Sequence, residues 1–292
     1  MKAELKVERI LYATDFLESS RLALDYAVAF ADHFHAPLVM VHALELSNTA
    51  QEAELTTSLP SVSRITAQER LNKLAIGVSR LGLDVEAHLE DGFPPEVVLG
   101  AVRRFGADLL VLGTHGIHRG LTHLLIGSNT EKMLLASACP TLTVGAHVLA
   151  GVDLHLHMSE IVYFSDFTPE AAAAAPYALF YGREFGVPVN VCHLLPAAPE
   201  LDETSRGKMA QAYCESLKQA LGSSDSAWCR PTFQLDRGLE LEQIFERARR
   251  EHTGMIVLGV RMQSQLSRHL NTSFAYRLLA EATCPVLTIR QD

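Results

Sequence analysis

Short apolar runs alternate with longer amphipathic stretches along the whole chain. Strand-like runs fall at 10–14, 38–42, 85–89, 109–113 and 142–144, and again at 161–164, 189–193, 232–235, 256–259 and 286–289. Most are rich in Val, Ile or Leu, and all are too short for a helix and bounded by polar or turn-forming residues. Between them the spacing turns helical: Leu22, Tyr26, Ala29 and Phe30 share one face, as do Val97, Val98, Ala101, Val102 and Phe105. Pro95 fits the first turn of the latter helix. Strand and helix alternate as in β-α-β units, which require parallel pairing and right-handed crossovers.

The pattern occurs twice. Tyr12-Ala13-Thr14-Asp15-Phe16 returns as Tyr163-Phe164-Ser165-Asp166-Phe167, Val41-His42 as Cys192-His193, Val111-Leu112-Gly113 as Val257-Leu258-Gly259, and Cys139-Pro140 as Cys284-Pro285. Four matches in one order define an internal duplication. The expected architecture is α/β: two tandem domains, 1–147 and 155–292, each a doubly wound five-stranded parallel sheet. The offset between copies shrinks along the chain, so the second is the shorter. The loss falls where the first carries the polar segment 47–63, expected to be a loop.

Composition narrows the class. Hydrophobic residues at 48% against 20% charged exclude a disordered chain, and a net charge of −9, divided almost evenly between the halves, argues against nucleic-acid binding. The longest uncharged stretch, 133–152, contains Cys139-Pro140, Gly145, His147 and Gly151, which a membrane-spanning helix rarely combines. No membrane insertion is expected. Five cysteines without a CxxC pair suit a reducing compartment, and residues 1–9 lack the apolar core of a signal peptide, so the expected location is cytoplasmic.

In a doubly wound sheet ligands bind beyond the carboxyl ends of the strands, where strand order reverses. Those ends carry Thr14 and Asp15, His42 and Ala43, and Gly113-Thr114-His115-Gly116. From Gly113 a glycine-punctuated segment runs to Gly127-Ser128-Asn129, and good helix formers follow. Loop then helix N-terminus is anion-binding geometry: glycines admit close approach of backbone N–H groups, and the Ser128 hydroxyl lies at the positive end of the dipole. The glycines are equally compatible with plain turns. Neither a Walker sequence nor a GxGxxG after the first strand occurs.

Of the 13 histidines, His115, His118 and His123 cluster in the glycine loop, and His33/His35 and His155/His157 form pairs. No HExxH or finger spacing accompanies them, so no metal site is expected. His42 and His193, at equivalent strand ends, suggest a structural hydrogen bond made twice. Cys139 and Cys284 read as buried small hydrophobes, and no catalytic residue is assigned.

These residues in combination resemble the universal stress proteins in their tandem two-domain form. The resemblance rests on residues 10–16, on Gly113-Thr114-His115-Gly116, on Gly127-Ser128 and on Cys139-Pro140-Thr141-Leu142-Thr143-Val144. ATP-binding members carry Gly-x2-Gly-x9-Gly-(Ser/Thr). Gly113, Gly116, Gly127 and Ser128 match by type, with one residue more than nine in the 117–126 interval. The resemblance implies ATP, with Mg²⁺ as a candidate companion, in the first domain: Ala13, Thr14 and Asp15 toward the adenosine, Ala43 against the adenine, Gly113, Gly116, Gly127 and Ser128 around the phosphates, and Thr114, His115 and Asn129 among the nucleotide-binding residues. A turn or helix-capping role for Asp15 is compatible with this.

In the second copy Met262 and Thr272 replace two of the glycines while Ser273 keeps the hydroxyl, so a weakened or absent triphosphate site is expected there. The implied function is a cytoplasmic stress-response regulator, its second domain a pseudo-dimer partner, with a homodimer and an unidentified downstream protein as partners. The alternatives are a slow ATPase or autophosphorylating enzyme, and a nucleotide-independent scaffold or small-metabolite binder.

Overall fold

A computed structural model describes residues 5–45, 59–114, 126–148, 158–165, 169–193, 253–261 and 274–291, with isolated positions between 204 and 246. The chain parts into two compact units at Leu156/His157.

In the first unit β1 (Ile10–Ala13), α1 (Glu18–Phe34), β2 (Leu38–Leu44), α2 (Leu59–Ser79), β3 (Val85–Asp91), α3 (Pro94–Phe105), β4 (Leu109–Gly113), α4 (Ser128–Ala136) and β5 (Thr141–Val144) follow one another. The strands are parallel in the order β3-β2-β1-β4-β5. The chain thus moves outward from β1 to β3, then returns to β1's other side as β4, and the reversal lies between β1 and β4.

Successive residues of a strand face opposite layers. Leu11, Ala13, Val39, Val41, Leu110 and Leu112 pack with Val98, Ala101 and Val102 of α3 and Met133 of α4. The alternate residues Ile10, Tyr12, Leu38, Met40, Leu109 and Val111 are fully buried as well. Covering on both faces explains why the inner strands are continuous apolar runs.

The second unit contains β6 (Glu160–Ser165), α5 (Pro169–Phe185), β7 (Val189–His193), β8 (Thr253–Arg261), α6 (Phe274–Glu281) and β9 (Val286–Gln291). Its described strands are parallel in the order β7-β6-β8-β9. The strand expected at 232–235 lies outside the described residues.

Register carries the duplication to the level of single residues. Ile10 opposes Leu38 and Leu109, and its counterpart Ile161 opposes Val189 and Met255. Leu110 opposes Thr141 as Ile256 opposes Val286. The two buried tyrosines repeat a bond as well: Tyr12 donates its hydroxyl to the Ser20 carbonyl at 2.7 Å, and Tyr163 to the Ala171 carbonyl at 2.5 Å. Each ties a strand to the first turn of the following helix. Tyr12→Phe and Tyr163→Phe should each cost about 1 kcal/mol in urea denaturation, because the carbonyl left behind has lost its donor.

The segment 47–63 is not a loop throughout: α2 begins at Leu59. Pro60 stands in its first turn, where the missing N–H breaks no hydrogen bond, so its helix-breaking character misleads there.

Candidate functional site

A cavity of about 220 Å³ opens at the carboxyl ends of β1, β2 and β4, at the reversal of strand order. Ala13, Thr14 and Asp15 reach it from β1, Ala43 from β2, Gly113 from β4, and Gly127, Ser128 and Asn129 from the start of α4. His115 and Gly116 lie outside the described residues. Thr114 is fully buried beyond the cavity wall. Its N–H donates to the Val144 carbonyl at 3.1 Å and its carbonyl accepts the Gly127 N–H at 2.9 Å. Thr114 therefore holds together the two ends of the glycine segment.

Several walls were not singled out by sequence. Val98 of α3, Leu112 and Met133 of α4 supply an apolar surface, and Pro94 closes it at the start of α3. Their helical periodicity marks a buried face without saying that part of it borders a cavity. The signal that could have found them is Pro94-Pro95, which fixes the start of α3 just after the end of β3.

The β1–α1 turn is built by its own side chains. The Thr14 hydroxyl accepts the Phe16 N–H at 3.0 Å, and an Asp15 carboxylate oxygen accepts the Leu17 N–H at 2.9 Å. Asp15 thus does act as a turn residue, and it remains exposed at the cavity edge. Phe16 adopts φ 62°, a left-handed conformation costly for an aromatic residue. In that conformation its ring lies 4.3 Å from the His42 ring, centroid to centroid.

His42 Nδ1 donates to the Thr14 carbonyl at 2.7 Å, which fixes the ring and its neutral tautomer. The His193 side chain lies outside the described residues. Burial pushes the His42 pKa below its ordinary value; the Thr14 bond and the Asp15 charge oppose this, and Arg70 reinforces it. A depressed histidine favours the neutral native form, so its stabilisation is present above about pH 6.5 and lost as the pH falls below that. Thermal midpoints measured from about pH 7.5 down to about pH 5 should therefore fall more steeply for the native chain than for His42→Gln.

At α4 the N-cap is Gly127, which has no side chain to cap the helix. The first intrahelical bond runs from the Glu131 N–H to the Gly127 carbonyl, so the amides of Ser128, Asn129 and Thr130 precede the hydrogen-bonded turns. The Thr130 hydroxyl donates to the Gly113 carbonyl at 3.2 Å, which anchors α4 to the end of β4.

Gly113 has a steric role that sequence alone did not reveal. A Cβ there would stand 2.6 Å from Ser19 C and 2.7 Å from Ser20 N, the backbone at the start of α1. The same holds at Gly259, where a Cβ would overlap the Glu170 carbonyl and stand 2.7 Å from Ala171 N. Close approach of helix to strand, needed in both copies, explains why this glycine persists in the second half. Met262, Thr272 and Ser273, on which the expectation of a weakened second site rests, lie outside the described residues.

Cys284 is buried and Cys139 partly so, with the thiols pushed up to about 12 and about 11 by burial, far from thiolate character at neutral pH. Among the described residues no group of three His, Cys, Asp or Glu side chains is placed to hold a metal ion, and no helix is long and apolar enough to cross a membrane.

Fold and cavity together define the class: a tandem of doubly wound α/β modules, the first with a cavity at the reversal of its sheet. The chain belongs to the universal stress protein family, whose model matches residues 6–145 and again 158–290. Relatives align with about half of it at a time. Universal stress protein MJ0531 of Methanocaldococcus jannaschii is 27% identical over 139 residues, 47% of this chain and 81% of that protein. A universal stress protein of Thermus aquaticus is 31% identical over 140 residues, 46% of this chain and 96% of that protein. The crystal structure of a universal stress protein from Archaeoglobus fulgidus DSM 4304 covers 97% of this chain and 98% of its own, at TM-score 0.72 and 17% identity, a likeness of fold.

Proposed function

We propose that the first half binds ATP in the cavity at the β1/β4 reversal and that the protein is a stress-response regulator controlled by that nucleotide. One observation carries the reading. The N-terminus of α4, with a glycine as its N-cap residue, borders the same cavity as an apolar slot formed by Ala13, Ala43, Val98, Leu112 and Met133. A flat heteroaromatic base fits the slot, and phosphate fits helix amides at the positive end of the dipole. The Ser128 hydroxyl, exposed in the first turn, adds a donor.

Asp15 is the one carboxylate among the described lining residues. One of its oxygens accepts the Leu17 N–H, so Asp15 would meet a phosphate-bound Mg²⁺ through water rather than as one of a cluster of ligands. With no lysine or second carboxylate among the described lining residues, the donor set suits retention of nucleotide better than rapid phosphoryl transfer. The same reading places the protein in the cytoplasm as a homodimer, the second half a pseudo-dimer partner, signalling to a further protein.

The test is to purify the chain without added nucleotide, denature it and identify the released small molecules by mass spectrometry. Adenine nucleotide is the expected result. A chain that releases none and shows no thermal stabilisation by added ATP contradicts the proposal.

A further inference from the structure

A second and larger cleft, about 840 Å³, lies between α1 and α2 and meets the first cavity at Thr14 and Ser20. Its size is within the range of small-molecule sites. The chemistry differs from that of the nucleotide cavity. Tyr12, Leu24, Val28 and Val78 form an apolar floor, each less than a tenth exposed, and Leu81 on the wall is 51% exposed. The one polar atom Tyr12 could offer is engaged, since its hydroxyl donates to the Ser20 carbonyl. The floor therefore offers a surface for hydrocarbon.

Glycine at position 77 points the same way. Gly77 is helical and lines the cleft, and a Cβ placed on it would meet nothing within 4 Å. Neither a left-handed backbone nor a close approach requires glycine there, whereas Gly113 and Gly259 are forced by contact. Any larger residue would favour the helix and project into the cleft.

The charges around the cleft are unbalanced. Arg21, Arg70 and Lys73 line it together with a single carboxylate, Asp25. Among the described residues none of these three cations forms an ion pair, and Arg70 lies over the Phe16 ring at 6.0 Å. Desolvation raises the pKa of half-buried Asp25 although the Arg21 charge opposes this, which leaves Arg70 and Lys73 as the cations not engaged with the cleft's carboxylate. An apolar trough edged by excess cations is complementary to a molecule with a hydrocarbon chain and an anionic head.

We propose that the α1–α2 cleft binds a carboxylate of the fatty-acid class, its chain on Leu24, Val28, Val78 and Leu81 and its head at Arg70 and Lys73. The site adjoins the proposed nucleotide site at Thr14 and Ser20, but the residues proposed to hold chain and head line the cleft alone.

Calorimetric titration of the full chain with laurate below its micelle concentration tests the proposal, with dodecyltrimethylammonium as a probe of equal chain length and opposite charge. Laurate should bind saturably and the cation should not. Gly77→Leu, which fills the cleft from an exposed helix position, should weaken laurate about tenfold or more while leaving circular dichroism and any ATP-induced thermal shift unchanged. Lys73→Glu should weaken laurate without affecting the fold. Absence of saturable laurate binding, equal binding of the two probes by the unmodified chain, or unchanged laurate affinity in Gly77→Leu would each overturn it.

Discussion

Gly113→Ala and Gly259→Ala should each destabilise the protein by about 3 kcal/mol, toward the upper end of what overpacking usually costs. At both positions the new methyl meets backbone at the start of the helix that follows the neighbouring strand, Ser19–Ser20 after β1 in one case and Glu170–Ala171 after β6 in the other. A flexible side chain could swing away, but backbone can relieve the overlap only if helix and strand move apart. That movement would also strain the tyrosine bonds at the same turns, Tyr12 to Ser20 and Tyr163 to Ala171. Urea denaturation without nucleotide measures the loss. Similar losses at the two sites would mark this glycine as a packing residue first; a loss at neither would refute the steric account.

The second large effect concerns the proposed ligand. ATP at about a hundredfold excess over its Kd should stabilise the native chain by about 2.7 kcal/mol, and Ala43→Trp should abolish that gain. Ala43 lines the cavity and pairs with Glu90 in the β2–β3 ladder, so a large ring placed there enters the slot while the strand keeps its backbone partner. Tryptophan is also compatible with a strand, so the unliganded variant should keep a cooperative thermal transition. A wild-type shift that persists in Ala43→Trp would move the nucleotide to another site.

Much of the fold was legible because period and order are properties of sequence. The inner strands announce themselves as apolar runs, and the paired Tyr-x-x-Asp-Phe and Leu-Gly segments mark equivalent ends in both copies. The start of α2 was not, because Pro60 reads as a breaker until its position in the first helical turn is known.

At the site, residue type indicated which strand ends carry polar groups, but not how the turn is held. The left-handed Phe16 and its tilted ring contact with His42 leave no sequence signal, since nothing about a phenylalanine announces positive φ. Thr114 stands among the signature residues, yet its side chain is buried and its backbone pins the loop ends, a distinction that depends on where β4 stops. Gly113 illustrates how two causes converge on one residue. The signature reads it as room for phosphate, whereas the close approach of α1 already excludes any side chain.

The proposed regulatory function depends on nucleotide entering the first half at the sheet reversal. Titration of the chain, freed of bound small molecules, with ATP in a calorimeter tests this most directly, with Ala43→Trp alongside. The account predicts saturable binding of one ATP per chain in the native protein and none in the variant; no heat in the native chain, or equal binding by both, would contradict it.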